Sequence, residues 1–214
     1  MLTGKRVLVI GLARSGKAAV KLLQKLNATI TINEGKPLEQ IDGYQEYLDA
    51  GIEIVAGGHP DELFERDFDF VVKNPGINYH KPFILRLKER KIPVYTEIEL
   101  AYQVAKKQHY IAVTGTNGKT TTTSLISHIL NQSGKKAIGV GNIGEGILWQ
   151  MYNNDDIFVE EISSFQLHNT KFFKPHIAGI LNITPDHIDW HGSFENYIED
   201  KLKIAINQDD KDYL

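Results

Sequence analysis

Cysteine is missing from all 214 residues, and no uninterrupted apolar run is long enough to span a bilayer. The first absence excludes disulfides and thiolate metal sites and fits a reducing compartment. The second excludes a transmembrane helix. An excess of charge of one sign is also absent: 24 Lys and Arg against 27 Asp and Glu leave a formal net charge of -3. That balance argues against a general nucleic-acid surface. The chain enters a strand-like run almost at once, at Arg6, so no signal peptide is read at its start. What remains is an ordinary globular composition, 42% hydrophobic and 24% charged, with length for one large or two modest domains. The expectation is a cytoplasmic monomer that engages neither membrane nor nucleic acid.

The first half alternates short apolar runs with helix-like segments. Strands are expected at Arg6–Gly11, Ala28–Asn33, Ile52–Val55, Phe68–Lys73 and Ile92–Tyr95. Helices are expected over Ala18–Leu26, Tyr44–Ala50 and Phe83–Arg90. A helix from Glu97 to Lys107 leads into a second series, with strands at Tyr110–Thr114, Ala137–Val140, Ile157–Glu160 and Ile177–Asn182. Strands alternating with helices imply parallel sheets covered on both faces. The fold class is therefore α/β, with domains at residues 1–95 and 96–214. The end of the chain, after Asn207, carries no evident closing strand.

Four constellations carry chemistry. Gly11-Leu-Ala-Arg-Ser-Gly16 follows a strand and opens a helix, where doubly wound folds bind phosphates. Ala13 breaks the G-x-G-x-x-G pattern, and a plain tight turn is the competing reading. Glu34 and Lys36 follow the second strand, where an acidic residue commonly meets a ribose; a solvated turn is the alternative. The second constellation, Gly115-Thr-Asn-Gly-Lys-Thr120, also joins a strand to a helix. Its glycines free backbone N–H groups to face an anion, Lys119 can reach terminal phosphates, and Thr120 can ligate Mg²⁺. Val113 stands where a full Walker motif has glycine. Third, Glu160 and Glu161 end a strand at the ligand-binding edge of the sheet, and alternation lets at most one of them face the site. Fourth, Asn182-Ile-Thr-Pro-Asp-His187 and His191 crowd a loop after a strand. A zinc pair from His187 and His191 is set aside, because Pro185 and Gly192 leave little helix and no Glu follows His187.

Taken together, Thr114–Thr120, Gly141-Asn-Ile-Gly144, Glu161-Ile-Ser-Ser-Phe-Gln-Leu167, Asn182–His187 and Asp200-Lys-Leu-Lys203 resemble the Mur ligase family, ATP-dependent amide-forming enzymes of peptidoglycan precursor synthesis. The order of the five motifs makes the resemblance specific, and it covers essentially the whole chain. The Ser163–Leu167 segment and the opening glycine turn are similar to the branch that joins D-glutamate to UDP-N-acetylmuramoyl-L-alanine. The resemblance implies a Rossmann-like, UDP-precursor-binding first domain and a P-loop-type ATP-binding central domain. It places ATP against Gly115, Thr116, Asn117, Gly118, Lys119, Thr120 and Thr121. It places Mg²⁺ at Thr120 and Glu161, and a second Mg²⁺ at His187 and a carbamylated Lys201. Catalysis is assigned to Lys119, His187 and Lys201. Precursor contacts are assigned to Ser15, Gly16, Glu34, Lys36, Asn74, Asn142 and Ser163. The implied reaction activates a substrate carboxylate as an acyl phosphate, which the amine of D-glutamate attacks.

Members of that family are about twice this long and carry a third domain that binds the incoming amino acid. Nothing here corresponds to it, and the central domain is read as incomplete. The expectation is a fragment, inactive alone, that still binds the UDP precursor. A non-catalytic UDP-sugar or nucleotide-binding module is the alternative from another class. The folylpolyglutamate synthetase group and a simple P-loop hydrolase are further alternatives. Ser163–Leu167 argues against the former, and the lack of an assignable arginine finger or water-positioning glutamine argues against the latter.

Overall fold

A computed structural model of the chain describes residues 2–105, 109–141 and 157–214. It divides into two compact units, Met1–Glu97 and Ile98–Leu214.

The first unit is built on β1 (Arg6–Ile10), β2 (Thr29–Glu34), β3 (Glu53–Ala56), β4 (Phe70–Lys73) and β5 (Val94–Tyr95). They lie in the order β3-β2-β1-β4-β5, and every pairing is parallel. β1 sits in the middle because its apolar run can be buried on both faces: Val7, Leu8, Val9 and Ile10 are each 0% exposed. The strand order reverses between β1 and β4, which makes the carboxyl ends of these two strands the topological switch point. The helix Arg14–Lys25 packs on the sheet through Gly16, Ala19, Val20, Leu22 and Leu23. It starts closer to β1 than its apolar spacing suggests, because Ala13 ends the turn in an extended conformation.

The second unit holds β6 (His109–Thr114), β7 (Ala137–Gly141), β8 (Ile157–Glu161) and β9 (Ile177–Ile180), again all parallel, in the order β7-β8-β6-β9. The helix Lys119–Gln132 follows β6. Two differences from the sequence reading matter. β9 ends at Ile180: Leu181 N–H makes the last ladder bond, to Thr114 O (3.0 Å), and the Asn182–His187 loop then runs across the P-loop. The chain end does pair: Tyr213 forms a parallel bridge to Ile177, with Ala178 N–H donating to Tyr213 O (2.8 Å) and Tyr213 N–H to His176 O (3.0 Å). Among the described residues, no helix is long and apolar enough to cross a membrane.

Candidate functional site

In the second unit the loop between β6 and its helix is clamped from three sides. Gly118 holds a left-handed conformation (φ 86°) at the helix N-cap, which a side chain would strain. Asn182 exchanges two hydrogen bonds with the tip: Asn117 N–H donates to Asn182 Oδ1 (2.9 Å), and Asn182 Nδ2 donates to Asn117 O (3.0 Å). Thr116 N–H donates to Asn182 O (2.9 Å), while Thr116 Oγ1 accepts from Thr184 N–H (3.0 Å) and meets Tyr197 OH (3.0 Å). From below, Lys119 Nζ donates to Gly115 O (2.8 Å) and Thr116 O (2.9 Å), and Lys201 Nζ donates to Gly115 O (2.8 Å). Lys119 must swing away from these carbonyls to meet a ligand beyond the loop.

Alternation sorts the two glutamates as their sequence position requires. Glu161 Oε2 accepts from Thr120 Oγ1 (2.7 Å), while Glu160 lies fully buried on the sheet's other side. Lys201 is 2% exposed and stands over the Tyr197 ring at 4.6 Å. Burial, and then the nearby Lys119 charge, lower its pKa to about 8 against an opposing pull from Asp186. His187 is a non-glycine residue at φ 51°, half-exposed, with Nε2 3.5 Å from Asp186 Oδ2. Left-handed backbone at a side chain of this size stores strain, and such residues cluster at functional sites. A cleft of about 40 Å³ links Gly115, Lys119, Ser163, His187 and Lys201. Ser163 caps the short helix Ser164–Leu167: Gln166 N–H donates to its Oγ (3.3 Å), and its own N–H donates to Gln166 Oε1 (2.9 Å). The substrate contact expected of Ser163 must compete with that capping box. Asn142 lies outside the described residues. Thr121 is exposed on the first helical turn.

Sequence reasoning missed a buried network behind this loop. His191, 0% exposed, turns Nε2 to Ser164 Oγ (3.0 Å) and Nδ1 to Asp200 Oδ2 (2.8 Å). Asp200 also meets His168 Nδ1 (2.8 Å) and accepts from Lys203 Nζ (2.7 Å). Burial pushes the Asp200 carboxyl up, but the hydrogen bonds from His168, His191 and Lys203 outweigh it and hold the group well below the usual carboxylate range. His191 therefore belongs to this network rather than to a pair with His187. Asp200 precedes Lys201, so the network fixes the helical turn that carries that lysine.

In the first unit a cleft of about 460 Å³ opens where β1, β2 and β4 end, lined by Gly11, Leu12, Ala13, Glu34, Lys36, His59, Asn74 and Gly76 among others. Glu34 shapes its floor: Oε2 accepts from Leu12 N–H (2.7 Å) and Oε1 from Lys36 N–H (3.3 Å). Asn74 Oδ1 accepts from Gly76 N–H (3.0 Å). Lys73, 0% exposed, donates to the carbonyls of Asn74 (3.1 Å), Pro75 (3.3 Å) and Ile77 (2.6 Å) and so ties the loop down from beneath. Burial lowers its pKa to about 8, opposed by Glu97. Two of the residues expected to contact the precursor, Ser15 and Gly16, are not among those lining the cleft. From the same turn, Gly11, Leu12 and Ala13 line it. Gly16 is buried, and a Cβ there would stand 1.9 Å from Gly11 O, so this glycine lets helix and turn approach rather than touching a ligand.

Comparison with known proteins follows the same division. Residues 5–96 match the MurD-like N-terminal domain of Mur ligases, and residues 113–214 match the Mur ligase middle domain. A UDP-N-acetylmuramoylalanine–D-glutamate ligase of Streptococcus mutans is 50% identical over 212 residues, covering 98% of this chain and 47% of the relative. The enzyme of the same name from Streptococcus agalactiae is 48% identical with the same coverage. The chain thus spans about half the length of the curated relatives it matches. Among solved structures, the UDP-N-acetylmuramate:L-alanyl-gamma-D-glutamyl-meso-diaminopimelate ligase from Neisseria meningitides superposes with a TM-score of 0.56 at 16% identity, over 95% of this chain and 69% of that one. UDP-N-acetylmuramate-alanine ligase from Thermotoga maritima gives 0.52 at 23% identity, over 94% and 46%. These two likenesses speak to the fold alone.

Proposed function

This chain belongs to the Mur ligase family, and from that premise we propose that it carries the precursor-binding and nucleotide-binding parts of an enzyme that joins D-glutamate to UDP-N-acetylmuramoyl-L-alanine. A cytoplasmic setting and a monomeric state belong to the same proposal. The observation that carries it is the clamped G-T-N-G-K-T loop with Glu161 at Thr120 on one side and Lys201 beneath Gly115 on the other. A hydrolase P-loop needs a group that orients water. This one is surrounded by groups that position and neutralise anions.

The donor set fits Mg²⁺ at the first site. Mg²⁺ takes hard oxygen ligands, often one or two from protein with the rest from phosphates and water. The Thr120 hydroxyl and Glu161 carboxylate supply two such oxygens 2.7 Å apart. At the second site His187 is available, but Lys201 as an ammonium donates to Gly115 O and has no lone pair for a metal. It joins that site only as the CO₂ adduct, and burial that holds its pKa at about 8 leaves part of it as the neutral amine, whose lone pair attacks the CO₂ carbon and which then gives up a proton. ATP, when bound, supplies the phosphoryl group that activates the precursor's carboxylate for attack by the D-glutamate amine. Lys119 neutralises the terminal phosphates after leaving the Gly115 and Thr116 carbonyls. The loop amides and the helix N-terminus orient the phosphate chain. In the first unit, Glu34, Lys36 and Asn74 hold the UDP part of the precursor over the β1 turn.

Ligand-dependent thermal unfolding tests the reading. UDP-N-acetylmuramoyl-L-alanine and Mg-ATP should each raise Tm by linkage. Lys119→Met should abolish the Mg-ATP effect and leave the precursor effect. A response to Mg-ATP with none to the precursor would favour a plain nucleotide-binding module.

A further inference from the structure

One side chain of the first cleft has its hydrogen-bonding role set by its neighbours. Asn33, 0% exposed at the end of β2, donates from Nδ2 to Val55 O (3.0 Å) and to Gly58 O (2.8 Å). Carbonyl oxygens only accept, so these two contacts settle which end of the amide is nitrogen. The amide oxygen is left facing His59 Nδ1 at 2.6 Å. An amide oxygen cannot donate, so Nδ1 carries the proton. In a neutral imidazole the other nitrogen, Nε2, is then a bare acceptor. The surroundings favour the neutral ring: burial lowers the His59 pKa and Lys81 lowers it further, against Glu34.

The ring is also held in place. It stacks on Phe83 with centroids 4.3 Å apart and planes at 29°. His59 lines the cleft, and Nε2 lies beside Gly35, where an added Cβ would stand 3.6 Å from it. Among the described residues no hydrogen bond to Nε2 is present. A fixed ring with a lone acceptor at the lining of a cleft is suited to reading an N–H group.

We propose that His59 is a specificity residue of this cleft: its Nε2 accepts a hydrogen bond from a ring N–H of the bound nucleobase, so the cleft selects a base that carries one, as uracil does at N3. This inference rests on the reading that the cleft takes the UDP part of a precursor, and deepens it. Asn33 acts through His59, as the residue that fixes the tautomer.

The test compares UDP with N3-methyl-UDP and CDP by calorimetry on the whole chain. Neither analogue offers the N3 hydrogen. Losing one hydrogen bond at a site that then keeps a buried group unpaired should weaken binding by about tenfold or more. His59→Phe keeps the ring on Phe83 and removes the acceptor, and should compress that preference toward unity. In wild type labelled with ¹⁵N-histidine, the Nε2 resonance should move toward its hydrogen-bonded position with UDP and stay put with N3-methyl-UDP. This readout stands even if His59→Phe folds poorly. Equal affinity for UDP and N3-methyl-UDP, with no Nε2 shift, would overturn the inference and leave the UDP reading intact. Failure of wild type to bind UDP or the precursor at all would overturn both.

Discussion

Replacing Gly16 by alanine adds one methyl group and should markedly destabilise the first unit. The new Cβ would lie 1.9 Å from Gly11 O and 3.0 Å from Gly11 C. A relaxed carbon–oxygen contact is about 3.3 Å, so the helix and the turn must part by about 1.4 Å. Both atoms belong to backbone, so no side chain can yield instead. The helix Arg14–Lys25 buries Ala19, Val20, Leu22 and Leu23 against the sheet, and lifting it opens those contacts too. A gap of only about 0.5–1 Å already forfeits a quarter to half of each dispersion contact it crosses, so the cost should be roughly 2–4 kcal/mol. For a unit of this length that corresponds to a fall in Tm of about 8–32 °C. Far-UV circular dichroism with thermal and urea unfolding reads it. Both tryptophans, at 149 and 190, lie in the second unit, so a dichroism transition that moves more than the tryptophan fluorescence would place the damage. Gly35→Ala is the control, because its Cβ would meet only His59 Nε2, at an ordinary 3.6 Å. The reasoning is refuted if Gly16→Ala melts with wild type, or no lower than Gly35→Ala.

Asp200→Asn should cost about 3 kcal/mol in urea unfolding, because it strips a buried carboxylate from His168, His191 and Lys203; a loss under about 1 kcal/mol would mean the network is ornamental. Thr120→Val should leave Tm without ligand nearly unchanged but remove the Mg²⁺ dependence of ATP binding; unchanged Mg²⁺ dependence in calorimetry would take Thr120 out of the metal site. Asn182→Ala breaks both bonds to Asn117 and should weaken ATP more than it weakens the fold, about 1 kcal/mol for each bond lost; equal ATP affinity would contradict it. For Lys73 the folded-state pKa, about 8, lies below the ordinary 10.5, so wild type gains stability as pH rises between those values, by up to about 3 kcal/mol. Lys73→Met lacks that gain, so its stability relative to wild type should be highest near neutrality and fall toward pH 10; a flat difference would refute the buried charge.

The strands were legible because each is a short apolar run ended by a glycine or turn residue, and the phosphate loop because its glycines sit between such a run and a helix start. The split between Glu160 and Glu161 followed from alternation alone. At Gly16 the sequence left a phosphate turn and a plain tight turn both open, since it does not say whether a glycine makes room for a ligand or for its own chain; the close approach of Gly11 O shows at least the second. The Ser163 cap carried a readable signal, the serine and glutamine three apart, that the functional motif overshadowed. The Ser164–His191–Asp200–His168 network had no such signal, because its members come from separate elements that only the folded sheet brings together. Lys73 was unreadable for a similar reason: a lysine ending a strand normally reaches solvent.

The buried lysines of the two units share a setting, and only Lys73 keeps its positive charge in the roles proposed above. Lys73 lies under the loop Asn74–Ile77 and Lys201 under Gly115, each donating to loop carbonyls and each held near pKa 8 by burial. A methionine would fill the same space without the desolvation cost of an ammonium. What it could not supply is a positive charge beneath a polar loop, in a medium where salt screens little. The ligand proposed for the first unit carries a diphosphate, and a fixed cation behind that loop attracts it without being competed away by water; Lys201 gives up its positive charge on forming the CO₂ adduct and takes no part in this. Loop shape and charge can be separated. If Lys73 acts through its field, Lys73→Met should weaken UDP markedly and uridine hardly at all, with the UDP loss persisting at high salt. If it acts only by shaping the loop, both ligands should weaken alike, and the charge would have no role in recognition.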